Sequence, residues 1–318
     1  MDKVIEITNL VKKYPLNKVE NGEKEFEAVK GVSFEVYKGE IFGILGPNGA
    51  GKTTTLGILE AINKQTSGDV KVLGLNNLTQ TKEIKSRIGV QLQESGYLPN
   101  LSLSELLDLF TSFYPRGPSS CYKRTALLQL VSLQDKQHEQ VKNLSGGQKQ
   151  RFTIATSLVN NPEILFLDEP TTGLDPKARR DLWQLIKKIN AGGITIVLTT
   201  HYMEEAEFLC SRVAIMDKGK ILEIDEPSKL ITRISDTTQV SFFTENKITT
   251  DLFKNIPEVK KIYSHYPKVI LELCDLEKIS LLVNILKTNK IVFSGFTVRT
   301  ASLEDVYLRL TGKEFENE

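Results

Sequence analysis

Gly46-Pro47-Asn48-Gly49-Ala50-Gly51-Lys52-Thr53 is the stretch that decides the fold. It matches the P-loop pattern G-x-x-x-x-G-K-[ST], with a second threonine, Thr54, directly behind it. The apolar run Ile41-Phe42-Gly43-Ile44-Leu45 precedes it and predicts a buried strand. Thr53 to Leu59 predicts the start of a helix. Glycines allow backbone conformations that gather several N–H groups around one anion. The helix N-terminus adds the positive end of its dipole. Lys52 is long enough to reach the β- and γ-phosphates of a nucleotide, and the Thr53 hydroxyl suits Mg²⁺.

Composition narrows the class. The chain has 318 residues, 40% hydrophobic and 25% charged, which suits one large or two ordinary soluble domains. A net charge of +1 argues against a nucleic-acid footprint, so no nucleic-acid partner is expected. The three cysteines, Cys121, Cys210 and Cys274, are isolated, and fit a reducing compartment better than a disulfide framework or zinc site. The N-terminus lacks the apolar core of a signal peptide, and no apolar run approaches the roughly 20 residues that span a bilayer. A cytoplasmic chain is expected. If it works at a membrane, another chain supplies the spanning part.

The pattern outward from the loop is α/β. Val4 to Leu10 alternates and predicts an edge strand, and Val11 to Lys30 is polar and interrupted by Pro15 and Gly22, so part of it is expected to be an exposed loop. Val32 to Val36 alternates again. Ile88 to Leu92 predicts a short strand, and Leu101 to Phe113 a helix with Ser102 or Ser104 as N-cap. A further helix is expected over Tyr122 to Val131. The continuous apolar runs Ile164-Leu165-Phe166-Leu167 and Ile194-Thr195-Ile196-Val197-Leu198 suit strands covered on both faces of a parallel sheet. Between them Pro176 to Asn190 reads as an amphipathic helix that stops at Gly192-Gly193. Val213 to Met216 and Lys220 to Ile224 are two more strands. Composition shifts near residue 230, and after Thr232 no glycine appears until Gly295. The βαββαβ order beyond that point predicts a small ferredoxin-like domain, with a last helix after Ser302.

Two more segments carry chemistry. Leu167-Asp168-Glu169-Pro170 ends an apolar strand, at the sheet edge where ligands of open α/β sheets bind. Asp168 suits Mg²⁺, and Glu169 is placed to polarise an attacking water. Leu144-Ser145-Gly146-Gly147-Gln148 opens a helical stretch running to about Val159. Ser145 and Gln148 have capping-box spacing, and the two glycines let an anion approach the helix start. The chain thus carries two phosphate-binding helix starts. Either it binds two nucleotides, or one nucleotide is sandwiched between two chains.

The set resembles the nucleotide-binding subunit of ATP-binding cassette (ABC) transporters over residues 1 to about 230. Gly46 to Thr54 resembles its Walker A loop, Leu144 to Gln148 its signature, and Ile164 to Pro170 its Walker B strand. Gly173-Leu174-Asp175 resembles the D-loop and His201 the switch histidine. The resemblance implies a P-loop NTPase cassette over residues 1–232. It would consist of a RecA-like core, an N-terminal antiparallel β-subdomain and a helical subdomain at about 94–160. The accessory domain would span 238–318. Two cassettes would pair head to tail as a homodimer or pseudo-dimer, which selects the sandwich: Ser145, Gly146, Gly147 and Gln148 of one chain close on ATP held by the other. Gln93, with Gln91 as competitor, resembles the glutamine that senses Mg²⁺ beside the permease contact. Tyr14, with Phe26 as rival, resembles the aromatic residue that stacks on adenine. ATP and Mg²⁺ are the implied cofactors, with Thr53, Gln93 and Asp168 toward the metal. Lys52, Glu169 and His201 are the implied catalytic set. No main motif residue is altered, which argues for an active ATPase.

Ala301 to Gly312 resembles the end of exporter cassettes of the ABC-2 and drug-resistance type. An exporter ATPase with a separate transmembrane permease is therefore expected. It would lie on the inner face of the membrane through that permease. An importer ATPase is the alternative, although its tail would more often resemble a β-barrel. A non-transport ABC ATPase would usually show two cassettes, zinc-binding cysteines or a long coiled coil, and none is visible.

Overall fold

A computed structural model describes residues 2–20, 23–91, 97–98, 100–114, 123–234, 238–245, 251–254, 259–265, 267–273 and 279–312. The chain divides between Pro227 and Ser228 into two compact units.

In the first unit, β1 (Lys3–Glu20) and β2 (Glu23–Tyr37) form a long antiparallel hairpin. β1 also pairs with β4 (Ser67–Val72), which pairs with β5 (Leu75–Asn76), giving the order β2-β1-β4-β5. This corrects two expectations. β1 is an interior strand, not an edge, and of the segment in which a loop is expected, residues 11–20 and 23–30 are strand, with Gly22 outside the described residues. Repeated register shifts, among them between Ile7 and Leu10 and between Lys12 and Lys13, break the apolar–polar alternation there.

The second sheet is the frame of the site. β3 (Ile41–Leu45), β6 (Ile88–Val90), β7 (Ile164–Asp168), β8 (Thr195–Thr200), β9 (Arg212–Asp217) and β10 (Lys220–Asp225) lie in the order β10-β9-β3-β8-β7-β6. All neighbours are parallel except β10 on β9. β3 and β8 are buried along their whole length, as continuous apolar runs in a doubly covered sheet must be. The two sheets share one core, in which the Phe34 and Phe42 rings stack 5.1 Å apart. Each fully buried Ile, Leu or Phe there contributes about 1.5–3 kcal/mol.

The helix starts at Ser102 and Ser145 follow caps read in the sequence. Ser102 and Glu105 form a capping box on Leu103–Ser112, as Ser145 and Gln148 do on Gly146–Ser157. Asp175 accepts from the Lys177 and Ala178 N–H groups to cap Pro176–Ala191, with Pro176 at the first turn. That helix buries Leu182, Trp183, Leu185, Ile186 and Ile189, the spacing of one face. Among the described residues no helix is long and apolar enough to cross a membrane.

In the second unit, β11 (Thr238–Thr244), β12 (Val259–His265), β13 (Lys268–Leu273) and β14 (Phe293–Arg299) form an antiparallel sheet of order β12-β13-β11-β14. The helices Asp251–Lys254 and Ile279–Thr288 stand at the two α positions of the βαββαβ order. The expected ferredoxin-like arrangement is what forms. Its core gathers Val240, Phe242, Phe253, Val269, Leu271, Leu273, Leu282 and Leu286. The last helix, Leu303–Thr311, starts at Ser302, whose N–H donates to the Asp305 carboxylate at 2.9 Å.

Candidate functional site

Strand register assembles the site. Leu45 pairs with Thr200, and Asp168 pairs with Thr199, so β3, β7 and β8 end at one edge of the sheet. The P-loop, the Asp168-Glu169 pair and His201 all leave the sheet there.

The P-loop backbone is tightly enclosed. Gly46 donates its N–H to the Thr200 carbonyl at 3.3 Å, and a Cβ on Gly46 would lie 2.2 Å from the Met216 carbonyl oxygen. Gly51 is the N-cap of the helix Lys52–Leu59, with φ 102°, a left-handed conformation that glycine adopts without strain. Having no side chain, it offers no acceptor to the first N–H groups of that helix. Those donors, with the dipole, make the loop an anion cradle. Pro47 is half-buried, Asn48 and Gly49 are exposed, and Ala50 is buried with its N–H on the Pro47 carbonyl. Thr53 is exposed and Thr54 half-buried.

Lys52 is 4% exposed, and its Nζ touches three oxygens: the Gly46 carbonyl at 2.9 Å, the Pro47 carbonyl at 3.1 Å and Glu169 Oε1 at 3.1 Å. The second oxygen of Glu169 faces His201 Nδ1 at 2.9 Å and accepts from the Thr172 hydroxyl at 3.3 Å. Burial works to raise the Glu169 pKa. The charge and hydrogen bond of Lys52, helped by His201, outweigh it and hold the carboxyl below its ordinary value. Glu169 is thus ionised and accepts only, so Nδ1 of His201 carries the hydrogen of this pair.

Glu169 has φ 47°, a left-handed conformation uncommon for a residue with a side chain. Its N–H donates to Thr199, to the carbonyl at 3.2 Å and to Oγ1 at 3.0 Å. Such a conformation costs about 1–3 kcal/mol and persists where surrounding contacts over-determine it. Asp168 Oδ1 accepts from the Thr53 hydroxyl at 3.3 Å and from the Thr199 hydroxyl. A hydroxyl and a carboxylate on one point fit Mg²⁺, which takes few protein ligands and completes its shell with water and phosphate. Among the described residues there is no group of three or more His, Cys, Asp or Glu that could hold a metal ion. Thr199 and Thr172 were not singled out in the sequence. The signal was present for Thr199, a hydroxyl at the end of an apolar strand beside the expected switch histidine.

Gln93 lies outside the described residues. Gln91 donates its N–H to the Phe166 carbonyl at 3.0 Å, and its side-chain oxygen is buried without a hydrogen-bond partner among the described residues. Ser145 and Gly146 are exposed, and a Cβ on Gly147 would lie 3.0 Å from Ala178, just beyond the Asp175 cap. The Ser145 oxygen accepts from the Gln148 N–H at 3.4 Å, which leaves its own hydrogen to donate. Tyr14 and Phe26 are cross-strand partners in the hairpin, 37% and 52% exposed.

Comparison with known proteins gives a consistent picture. The family pattern described as ABC transporter matches residues 29–172. The Nod factor export ATP-binding protein I of Ralstonia nicotianae is 34% identical over 95% of this chain and 96% of its own length. The linearmycin resistance ATP-binding protein LnrL of Bacillus subtilis is 32% identical over 90% of this chain and 94% of its own. A solved dimeric ATP-binding cassette, captured after hydrolysis with ADP and phosphate, superposes with a TM-score of 0.61. It is 31% identical and covers 70% of this chain and 98% of its own.

Proposed function

We propose, from the premise that this chain belongs to the ABC transporter family, that it is the ATP-hydrolysing subunit of an exporter whose permease is a separate polypeptide. The observation that carries the reading is the convergence of Lys52, Glu169 and His201, with Thr53 and Asp168 beside them. A cation that reaches phosphate, an ionised carboxylate, an imidazole and a metal-suited oxygen pair are the parts that hydrolytic phosphoryl transfer needs.

In this reading the P-loop N–H groups and Lys52 hold the β- and γ-phosphates of ATP. Thr53 and Asp168 would hold Mg²⁺, which supplies charge neutralisation at the phosphates. Lys52 exchanges Glu169 for phosphate, and Glu169 orients or deprotonates the attacking water with His201 in support. Ser145 and Gly147 of a second copy close over the nucleotide, so ATP joins two cassettes and hydrolysis releases them.

The exporter class is supported by the relatives whose names refer to export and resistance, because their likeness extends past the cassette into the C-terminal unit. Two measurements test the reading. Purified protein should hydrolyse ATP in a Mg²⁺-dependent way. Tagged protein recovered from detergent-solubilised membranes should bring an integral membrane partner with it. Absence of hydrolysis sinks the enzyme assignment, and recovery with ribosomes or DNA instead sinks the transport assignment.

A further inference from the structure

Glu205 is a buried carboxylate that the proposed chemistry does not use. It lies in the third position of the short helix Met203–Leu209, which begins two residues after His201, and it is 0% exposed. Its Oε1 accepts two hydrogen bonds from outside that helix. One comes from the Thr171 hydroxyl at 2.8 Å and one from the Trp183 indole N–H at 2.9 Å. Thr171 is itself 0% exposed and lies two residues after Glu169. Its neighbour Thr172 donates to Glu169 Oε2 at 3.3 Å. Trp183 belongs to the helix that Asp175 caps. One oxygen atom therefore joins the turn after Glu169, the helix after the D-loop and the segment after His201.

A second line of contacts runs along the same seam. The Arg179 guanidinium lies 4.4 Å from the centre of the Tyr202 ring, which packs 4.1 Å from the His201 imidazole. Burial pushes the Glu205 pKa up, while hydrogen bonding from the Thr200 and Thr171 hydroxyls and the Trp183 indole, and the Arg179 charge, pull it back. Glu205 Oε2 and Arg179 Nε are both buried without a hydrogen-bond partner among the described residues. A buried carboxylate is expensive to keep, and packing alone is served as well by an apolar residue of similar size. What an apolar residue cannot do is fix two donors from two segments at one point.

We propose that Glu205 is a positioning residue: its Oε1 holds the Glu169 turn against the His201 segment, and so sets the contact between the two groups that act on the water. The proposal rests on the ATPase reading above for its kinetic consequence, but its structural consequence can be read separately. The chain has three histidines, so the imidazole NMR signals of His138, His201 and His265 can be assigned one by one.

Thr171→Val keeps the shape and removes one donor. Glu205→Ala removes the acceptor, and Glu205→Gln restores an acceptor oxygen without the charge. Losing one buried hydrogen bond to a carboxylate should lower kcat about tenfold in Thr171→Val, with KM for ATP changed less than about twofold. Glu205→Ala should fall further, and Glu205→Gln should recover most of the rate. The His201 signal should move in Thr171→Val and Glu205→Ala, with the His138 signal unmoved. The proposal is overturned if Thr171→Val leaves the His201 signal unmoved or keeps the normal kcat. It is overturned equally if Glu205→Gln is as slow as Glu205→Ala. The NMR signal reads the tie whether or not ATP is hydrolysed. An inactive wild type therefore counts against the ATPase reading, and an unmoved His201 signal against this one.

Discussion

His201 Nδ1 lies 2.9 Å from Glu169 Oε2, on the opposite carboxylate oxygen from Lys52. Glu169 is therefore held from two sides, and its depressed pKa keeps it ionised through the neutral range. In the proposed reading, a base tied to a lysine acts only when the lysine finds another anion. The γ-phosphate is such an anion. Glu169→Gln should keep ATP binding, because Lys52 and the P-loop are intact, and lower kcat by roughly 10²–10⁴-fold, the usual worth of a positioned base. Size-exclusion chromatography with ATP should show the variant as a dimer. Hydrolysis at near the normal rate would remove Glu169 from the base role.

The glycines of the site divide into two kinds, and their alanine variants should follow. A Cβ on Gly46 would stand 2.2 Å from the Met216 carbonyl oxygen, and one on Gly51 would stand 2.5 Å from the Ala28 carbonyl oxygen at φ 102°. Both meet backbone, which cannot turn aside. Gly173 also has a positive φ, 76°, but nothing lies within 4 Å of its Cβ position. Gly173→Ala should cost only its conformational strain, about 1–3 kcal/mol. Gly46→Ala and Gly51→Ala should cost more. Urea unfolding checks the order, and equal losses at all three positions would contradict the steric account.

The parts of this protein legible in its sequence are those whose signal is local. β3, β7 and β8 are continuous apolar runs, and Ser102 and Ser145 cap their helices with their own side chains. The phosphate loop is local too, because glycine and lysine must sit at fixed offsets. The hairpin of β1 and β2 was misread because its bulges break the alternation that marks a strand. Glu205, Thr171 and Thr199 were missed for a different reason. Each acts on a residue 30 or more positions away, through register or helix packing, and of the three only Thr199, at the end of an apolar strand beside His201, is marked by its flanking residues. The candidate site was readable as three motifs. Its wiring was readable only once β3, β7 and β8 lay side by side.

Glu60 should make stability depend on pH. It is 8% exposed at the C-cap of the helix Lys52–Leu59, and burial, with the Asp168 charge, raises its pKa from 4.5 to about 7. The folded state thus binds this proton more tightly than the unfolded state does. The contribution is complete at pH below the unfolded value and is lost as pH rises through about 7. The loss is on the order of 3 kcal/mol. Glu60→Gln stays neutral at every pH, so it should unfold at a higher temperature than the wild type above about pH 7 and at a similar one below the unfolded value of 4.5. Thermal melts of both proteins across that range check it. Parallel curves would show that Glu60 does not titrate there.

Tyr14 and Phe26 were rivals for one role, and register makes them neighbours instead. They are directly paired across an antiparallel hairpin, which puts both side chains on the same face of the sheet. Both are exposed, and Lys12 Nζ sits 4.7 Å from the centre of the Tyr14 ring. Two adjacent exposed aromatic rings beside a cation suit a flat base carrying a phosphate chain. Stacking on one ring is worth about 1–3 kcal/mol. Tyr14→Ala should therefore raise KM for ATP roughly 5–100-fold with kcat little changed, because adenine is held equally before and during the reaction. Phe26→Ala decides between one ring and two. A comparable rise in KM, not additive with that of Tyr14→Ala in the double variant, means that both rings hold the same base. An unchanged KM leaves Phe26 as cover for the hairpin and gives the adenine contact to Tyr14 alone.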